Sequence, residues 1–241
     1  LPARSGPLVR WIRAGVSNLE SNTRFLLQNN QWAGLVLDAS ADAIAAIRRD
    51  SLYWQYNLKA EHAFLSTDNI NKMLTNGGIG GDIGLLSIDI DGNDYWIWEA
   101  IECITPAIVI CEYNSLFGSE HKLTIPYNPA FQRTKAHYSN LYYGASLPAL
   151  ADLAEHKGYA LVASNSTGSN AFFVRKDCLS SLEAKSPEAV YKQTHVRESR
   201  NEAGKLSFLS FEQATRIIAD LPLYNLDTKT EITFRQLSGS R

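Results

Sequence analysis

The sequence predicts an α/β fold in which an open, mostly parallel β-sheet is covered by helices on both faces. Short β-like runs alternate with helical stretches through the first two thirds of the chain, which is typical of such a sheet. The run from Ile83 to Ile90 is almost continuously apolar, as a strand buried on both faces should be. Two late strands, Tyr159 to Ala163 and Ala171 to Arg175, are joined by a polar turn and predict a closing hairpin.

The remaining elements follow from local patterns. Further strands are predicted over Leu8 to Val16, Gly34 to Asp38, Lys59 to Leu65 and Ala107 to Glu112. Helices are predicted over Ser21 to Asn29, Ala41 to Arg49, from the N-cap candidates Ser66-Thr67-Asp68 to Leu74, over Ser146 to Lys157 and over Phe211 to Asp220. Gly158 is the expected end of the fourth helix, since glycine commonly follows a helix C-terminus.

Length and composition indicate one domain with one substantial core. The chain has 241 residues, of which 45% are hydrophobic and 20% charged, as in an ordinary globular protein. We expect residues 1–180 to form one α/β domain, and residues 181–241, which are more polar, to form a C-terminal extension packed on it.

Charge, hydropathy and cysteine usage limit which cellular environments and binding partners the sequence favours. Lys and Arg number 23 against 25 Asp and Glu, so no chain-wide field favours nucleic acid or an anionic membrane surface. The apolar runs are too short to span a bilayer. The odd number of widely spaced cysteines, Cys103, Cys111 and Cys178, predicts free thiols in a reducing cytoplasm. The sequence is compatible with a homo-oligomer as well as with a monomer.

The loop after the first strand is a candidate nucleotide site. That strand ends in Gly15-Val16-Ser17-Asn18, Glu20-Ser21-Asn22-Thr23 follows at a helix start, and the second strand ends in Asp38. Ligands of open α/β sheets lie beyond the carboxyl ends of the strands, where an acid can accept hydrogen bonds from ribose hydroxyls. A GxGxxG fingerprint is absent, and a capping box with a surface aspartate explains these residues equally well.

Carboxylates crowd the end of the central strand, where Asp89, Asp91 and Asp94 follow an apolar run. Like charges held together need a cation, hydrogen-bond donors or solvent. The next strand adds Glu112 and Asn114, and alternation along an extended chain points both side chains the same way. Asp89, Glu112 and Asn114 would form an oxygen-only site suited to Mg²⁺ or Ca²⁺. The alternative is that the acids form a solvated turn.

A long segment after the fifth strand, about Ser115 to Gly144, is expected to bind the acceptor, that is, the substrate on which the protein would act. Loops of this length are uncommon unless they are functional. His137 is favoured over His121 as a general base, and the alternative for either is a polar residue with satisfied hydrogen bonds. We predict that the acceptor is bound by Asp91, Tyr113, Tyr127 and Tyr143. The alternative for the tyrosines is simple packing.

The chain resembles a known family along much of its length. The order of strands, the acid that ends the second strand and the segment from Ser87 to Trp96 resemble the class I S-adenosylmethionine (SAM) methyltransferases, especially FkbM-like members. The likeness spans roughly Val9 to Asp177. Further matching stretches are Glu20-Ser21-Asn22-Thr23, Glu112-Tyr113-Asn114, Tyr143-Gly144-Ala145-Ser146-Leu147 and Asn170-Ala171-Phe172-Phe173-Val174.

This resemblance implies a Rossmann-like, doubly wound sheet of seven strands whose last two form a hairpin. It also implies a cofactor site. The loop of Gly15, with Ser17 and Asn22, would hold the methionine part of SAM, Asp38 would hold the ribose, and Asp89 would contact the cofactor near the reacting groups. In catechol-type O-methyltransferases an acid after strand four and an acid–amide pair after strand five bind magnesium, and the analogous positions are Asp89, Glu112 and Asn114.

The expected function is methyl transfer from SAM to an oxygen of a small polar acceptor, such as a sugar or a glycan or natural-product precursor. A metal would lower the pKa of the acceptor hydroxyl, and Asp89 and His137 are the candidate catalytic residues. One alternative is a dinucleotide-dependent oxidoreductase acting on a nucleotide-sugar, which the missing glycine fingerprint and the closing hairpin disfavour. The other is a non-catalytic scaffold of methyltransferase-like shape.

Overall fold

The computed structural model describes residues 10–14, 23–194 and 198–238, and it combines helices and strands along the whole described chain. The prediction of an α/β protein is therefore confirmed.

The chain divides into two compact units. The first contains Leu1–Ile90 and Ala100–Val109, and the second contains Asp91–Glu99 and Ile110–Arg241. The domain boundary expected at residue 180 falls inside the second unit. Residues 181–241 therefore belong to the same unit as the segment that follows the fifth strand.

Strands and helices alternate in the first unit. In chain order they are β1 (Arg10–Ala14), α1 (Arg24–Asn30), β2 (Ala33–Asp38), α2 (Ala41–Arg49), α3 (Ser51–Gln55), β3 (Leu58–His62), α4 (Ile70–Asn76) and β4 (Gly81–Ile88). Strand β1 pairs with β2 and β4, and β2 pairs with β3, all in parallel. Every residue of β2 is buried, which explains why none of its residues before Asp38 is polar.

Side-chain caps fix the ends of helices α2 and α3. The Ser40 hydroxyl accepts a hydrogen bond from the Ala43 amide at the start of α2, and Asp50 accepts one from the Leu52 amide at the start of α3. Each cap satisfies an amide that the helix itself leaves without a partner. The Arg48 guanidinium then joins α2 to β3 by donating to the Ala60 carbonyl, with an Nη2–O distance of 2.6 Å.

The predicted N-cap of helix α4 was wrong. Asn69, and none of Ser66, Thr67 and Asp68, is the residue before the helix, which begins at Ile70. The Asn69 side chain does not cap the helix but accepts a hydrogen bond from the Ser66 amide. This side-chain-to-backbone hydrogen bond closes a short turn, and the helix begins after that turn, at Ile70.

The second unit begins at Asp91, in the turn before its first helix. In chain order its elements are α5 (Asp94–Ala100), β5 (Ile104–Glu112), β6 (Leu123–Thr124), α6 (Arg133–Ala136), α7 (Leu147–His156), β7 (Tyr159–Ser164), β8 (Asn170–Arg175), α8 (Pro187–Val190), α9 (Phe211–Ile218), β9 (Pro222–Asn225), β10 (Thr230–Thr233) and α10 (Phe234–Ser238). Short 3₁₀ helices occupy Ser115–Phe117 and Lys176–Cys178. The last residue of α5 and the first six of β5 belong to the first unit.

The closing hairpin is confirmed, since β7 and β8 pair antiparallel with one register shift between Leu161 and Ala163. The hairpin packs against helix α5 through aromatic rings. The Trp98 ring lies 4.9 Å from that of Phe173 and 6.1 Å from that of Tyr159, measured between centroids. Trp98 and Phe173 are among the largest fully buried side chains of the chain, so this contact is the centre of one core of the unit.

A small antiparallel sheet, not predicted from the sequence, joins the C-terminal extension to the segment after β5. Its strand order is β10-β9-β6, so β6 from the long segment pairs with β9 of the extension, and β9 pairs in turn with β10. Buried residues of both regions form one apolar cluster: Leu116, Phe117, Leu123, Ile125, Leu141, Tyr142, Ala214, Ile218 and Leu223. The extension is therefore an integral part of the second unit.

The described residues also bear on the expected environment. None of the helices in the described ranges is long and apolar enough to cross a membrane. The three cysteines are free, with Cys111 buried and Cys103 and Cys178 partly buried, as the sequence predicts.

Helix α9 offers a test of the extension's contribution to stability. Ser210 and Gln213 form a capping box at its start, so Ser210→Ala should lower the free energy of unfolding by about 1 kcal/mol. Urea denaturation followed by circular dichroism measures this. Ser166→Ala, at an exposed position of the β7–β8 turn, is the control. Equal stability of the two variants would contradict the assigned cap.

Candidate functional site

Two carboxylates of the first unit lie at equivalent levels on either side of β1. Ala14, the last residue of β1, is in register with Leu37 of β2 and with Ile88 of β4. Asp38 and Asp89 each follow one of those register partners directly. Because the three strands are parallel, both acids lie at the carboxyl edge of the sheet, about 10 Å apart at two strand spacings.

The structure does not describe three of the predicted cofactor residues. Gly15 directly follows Ala14 in the sequence, but Gly15, Ser17 and Asn22 lie outside the described residues. Their predicted contact with the methionine part of SAM therefore stays a prediction. Asp38 and Asp89 are described, and they are the residues from which a cofactor site in the first unit can be built.

Asp38 is held at the start of helix α2. Its side chain is 4% exposed, and its Oδ1 accepts a hydrogen bond from the Ser40 amide at 2.6 Å. Ser40 is the N-cap of α2, so the carboxylate lies at the positive end of the helix dipole, which stabilises a negative charge. Asp38 is thus an oriented hydrogen-bond acceptor at the rim of the sheet.

The turn that opens the second unit is fixed by its own backbone. Asp91 adopts the left-handed conformation with φ 56°, and the Gly92 amide donates to Asp94 Oδ2 at 3.0 Å. The Gly144 amide in turn donates to the Gly92 carbonyl at 3.0 Å. Asp94 is completely buried at the start of α5 and has a structural role. The Asp91 side chain is 50% exposed and remains accessible to a ligand.

Arg133 is the side chain around which the polar groups of the second unit gather. Its Nη1 lies 2.6 Å from Asp91 Oδ1 and its Nη2 lies 3.4 Å from Glu198 Oε2. Nε donates to the Asn140 carbonyl at 2.7 Å. The guanidinium carbon lies 3.8 Å from the centroid of the Tyr143 ring, a cation–π contact. The Arg133 side chain is only 14% exposed.

The charge of this cluster is negative despite Arg133. Carboxylate oxygens of Asp91 and Glu112 lie within 4.8 Å of each other, and Glu198 adds a third acid at the rim. Burial by itself lowers the pKa of Arg133, but interaction with Tyr143, Glu112 and Asp91 outweighs burial and raises it. The guanidinium therefore stays protonated and is the counter-charge to the two inner carboxylates.

Two amide oxygens of the second unit are buried without a hydrogen-bond partner among the described residues, Asn93 Oδ1 and Asn170 Oδ1. Asn93 follows the Asp91–Gly92 turn, and its amide nitrogen donates to the Asn128 carbonyl at 2.8 Å. Asn170 follows Ser169, whose carbonyl accepts the Tyr113 amide at the end of β5. Buried acceptors of this kind are normally paired with a protein group or an ordered water, so each of these oxygens lacks a partner that a water molecule or a ligand hydroxyl would supply.

The contacts of Asn114 and Tyr113 are structural, and their predicted metal-binding and acceptor-binding roles stay predictions. Asn114 Oδ1 accepts the Leu116 amide, and its Nδ2 donates to the Leu141 and Tyr143 carbonyls at 2.9 and 3.0 Å. The Tyr113 side chain is fully buried, and its hydroxyl donates to the Lys192 carbonyl at 3.2 Å. The strand ends at Glu112, so the alternation that predicted the direction of Asn114 does not continue to it.

The other two predicted tyrosines differ in position. The Tyr143 ring supports Arg133 and is partly buried, so its predicted place beside the acceptor agrees with the cluster. Tyr127 is partly buried, with its ring 6.1 Å from that of Trp96. Its main described contact is packing, which was the alternative for this residue.

His137 is held by a local turn. The Ser139 amide donates to His137 Nδ1 at 3.3 Å, and the Ser139 hydroxyl lies 2.8 Å from the same nitrogen. Burial lowers the pKa of His137, which favours the neutral ring. Because the amide can only donate, the neutral ring carries its proton on Nε2 and acts as a donor there. The Nδ1 atom of His137 is thus engaged within its own turn, and the predicted role of His137 as the general base stays a prediction.

His121 lines a separate cleft of the second unit. The cleft has a volume of about 430 Å³ and is lined by Phe117, Gly118, Ser119, Glu120, His121, Tyr191, Phe234 and Leu237. The His121 carbonyl accepts a hydrogen bond from the Ser146 hydroxyl at 2.7 Å. None of the residues that contact Arg133 lines this cleft, so His121 is not part of the Arg133 cluster.

The predicted magnesium ligands do not fit a metal site in the second unit. Glu112 is within reach of a cation, but the amide oxygen of Asn114 is engaged by the backbone. The neighbouring acid, Asp91, is already bound by Arg133. Asp89 belongs to the first unit, and its predicted metal role stays a prediction.

Sequence reasoning missed Arg133. A signal for it was present, because Arg133 is the only arginine between Ser115 and Gly144, the segment expected to bind an acceptor. Its partner Asp91 lies 42 residues earlier. No spacing rule relates residues so far apart, so the pair became visible only in the folded chain.

Comparisons with known proteins give distant neighbours only. No protein-family model and no curated protein sequence matches the chain. Among solved structures it is similar to the N-terminal domain of EvdMO1 with SAH bound, at 11% identity over 70% of this chain and 73% of that chain, with a TM-score of 0.40. The same domain in the presence of SAH and D-fucose gives 11% identity, coverage of 70% and 75%, and a TM-score of 0.40. Likeness this distant assigns neither fold nor function.

Gly92 tests the packing that supports Arg133. A Cβ at this position would lie 2.6 Å from Cε1 of Phe131, two residues before Arg133. Gly92→Ala should lower the free energy of unfolding by about 1–3 kcal/mol, because the phenyl ring must move. Urea unfolding measures this. Gly80→Ala, whose Cβ would lie 3.8 Å from its nearest neighbour, is the matched control and should be close to wild type. A Gly92→Ala protein as stable as this control would refute the predicted clash.

Proposed function

We propose that the protein is a SAM-dependent methyltransferase that methylates a hydroxyl oxygen of a sugar or another small polyhydroxylated acceptor. The observation that carries this proposal is the register of Asp38 and Asp89 on either side of β1. These are the two acids that the methyltransferase resemblance assigns to the cofactor, and they share one edge of a parallel sheet, where nucleotide ligands of α/β proteins bind.

The strand order supports the same proposal. The resemblance implies a seven-stranded sheet whose last two strands form a hairpin. Strands β3, β2, β1 and β4 are neighbours in that order and run parallel, and β7 and β8 are antiparallel. We take these strands to be those of a class I methyltransferase, with the cofactor loop expected directly after β1.

In this proposal the first unit binds the cofactor. Asp38 accepts hydrogen bonds from the ribose hydroxyls, since its carboxylate is oriented by the Ser40 amide at the start of α2. Asp89 contacts the cofactor from the other side of β1. When bound, SAM supplies an electrophilic methyl group on a sulfonium. The acids suit it because carboxylates accept from hydroxyl and ammonium groups.

The second unit binds the acceptor. Asp91, half-exposed and fixed by Arg133, accepts hydrogen bonds from acceptor hydroxyls, and Tyr143 forms one wall. Asn93 and Asn170 provide the buried amide oxygens without partners in the described ranges. A site rich in acceptor oxygens with one resident cation favours a ligand that donates many hydrogen bonds, which describes a sugar or polyol.

Glu112 is proposed as the general base. Methyl transfer is an in-line displacement in which the acceptor oxygen forms a bond to the methyl carbon as the carbon–sulfur bond breaks, and sulfur keeps the electron pair. The hydroxyl proton passes to the Glu112 carboxylate. Aligning the acceptor accounts for much of the acceleration of such a reaction, because it converts an encounter of two molecules into a step within one complex. Asp91 and Tyr143 supply that alignment.

Cofactor binding gives the first test. Calorimetric titration should show binding of SAM and not of NAD, since NAD binding without SAM binding would favour the oxidoreductase alternative. Asp38→Asn should weaken SAM binding about tenfold, because a charge-assisted hydrogen bond contributes roughly 1.5–3 kcal/mol. The control is Asp42→Asn, which makes the same change of charge at an exposed position on α2. Binding of neither ligand by the wild type would refute the proposal in favour of a scaffold role.

Turnover gives the second test. Glu112→Gln should reduce methyl transfer to a polyol acceptor by about 10²–10⁴-fold, the usual contribution of a general base, while SAM affinity stays near wild type. Release of S-adenosylhomocysteine measures the rate. Glu202→Gln, an exposed glutamate of the second unit, should leave the rate unchanged. Wild-type turnover in Glu112→Gln would exclude Glu112 as the base.

A further inference from the structure

We infer that Arg133 is the built-in cation of the Asp91–Glu112 site, and that this site does not bind the divalent metal that the resemblance to catechol-type enzymes implies. The site is the acceptor site of the proposed function, and only the role of Arg133 in catalysis rests on that proposed function. The occupancy of the site by Arg133 can be tested without any turnover.

Four contacts fix the position of the Arg133 guanidinium. Its Nε is held by the Asn140 carbonyl and its Nη1 by Asp91, at 2.7 and 2.6 Å. The Tyr143 ring covers one face of the guanidinium, and Glu198 reaches Nη2 at the rim. A planar group with its donors arranged in a fixed fork loses little further freedom in such a setting. Arg133 is therefore a fixed part of the site and not a mobile surface charge.

Charge balance explains why a cation is needed and why one is already present. Asp91 and Glu112 carry oxygens within 4.8 Å of each other, and two ionised carboxylates so close repel unless a positive charge lies beside them. Arg133 supplies that charge through its contact with Asp91, and a guanidinium stays protonated in proteins, so it keeps this charge when a metal approaches. A divalent ion at the same carboxylates would be repelled by the guanidinium.

The available oxygens argue in the same direction. Magnesium requires near-octahedral oxygen ligands at about 2.0–2.1 Å. One oxygen of Asp91 is committed to Arg133, and the predicted amide ligand, Asn114, accepts the Leu116 amide. Removing Arg133 would release Asp91, so a variant without the guanidinium should acquire metal affinity that the natural chain lacks.

Manganese provides a spectroscopic probe of this site, because Mn²⁺ prefers the same oxygen ligands as Mg²⁺. Free Mn²⁺ is counted by its electron paramagnetic resonance signal at about 1 mM total metal, a concentration at which weak carboxylate sites still fill. The wild-type chain should leave the signal near that of buffer. Arg133→Met should bind Mn²⁺ at least about tenfold more tightly, since a repelling charge is lost.

Two further variants separate the charge from other effects. Arg133→Lys keeps a cation and should not gain metal affinity. Arg133→Met combined with Glu112→Gln removes a carboxylate and should lose the gain. Circular dichroism establishes that each variant is folded, and the wild-type measurement stands even if a variant is not.

Binding of Mn²⁺ by the wild-type chain that disappears in Glu112→Gln would overturn the inference, as would a folded Arg133→Met protein with no gain. The methyltransferase proposal fails independently, through absence of SAM binding. If SAM does not bind but the manganese results are as expected, Arg133 still fills the cation site and only its meaning in catalysis is lost.

Discussion

The ion pair between Arg133 and Asp91 is the interaction on which the polar site of the second unit depends. It closes a series of contacts that fasten the long segment after β5 to the start of α5. Trp96 Nε1 donates to the Ile125 carbonyl and Asn93 to the Asn128 carbonyl. A mostly buried guanidinium is tolerated only with compensating charge and hydrogen bonds. Asp91 therefore has two roles: it holds Arg133, and with it the end of the segment, and its exposed part presents a negative charge to a ligand.

The C-terminal extension supports this arrangement from the other side of the segment. Strand β6 pairs with β9, the Tyr142 hydroxyl donates to the Pro222 carbonyl, and the Tyr191 hydroxyl donates to the Ser115 carbonyl at 2.7 Å. The extension thus satisfies backbone groups that a loop of this length would otherwise leave to solvent. Its apolar contacts make the segment a packed layer, which explains how an irregular stretch can hold Arg133 in one position.

The sequence predicted what depends on local pattern and missed what depends on distant partners. Strand β2, the Ser146-capped helix α7 and the β7–β8 hairpin were predictable because caps, alternation and turn residues lie within a few positions. Strand β6 has two residues, too few for any periodicity. The role of Arg133 depends on a partner 42 residues away. Asn114 is the N-cap of a 3₁₀ helix that begins one residue later, and this cap ends the strand alternation from which the direction of its side chain was predicted.

In the proposed methyl transfer, a resident guanidinium also affects when the proton leaves the acceptor hydroxyl. A metal at this site would lower the pKa of that hydroxyl and so favour loss of its proton before the transfer. A carboxylate beside an arginine is a weaker base than an isolated one, because the positive charge favours its ionised form. Such a base cannot deprotonate a sugar hydroxyl in advance. It can accept the proton once the forming carbon–oxygen bond has made that oxygen positively charged and strongly acidic. An Arg133-neutralised site is therefore consistent with attack by the neutral hydroxyl and with proton transfer to Glu112 as the new bond forms.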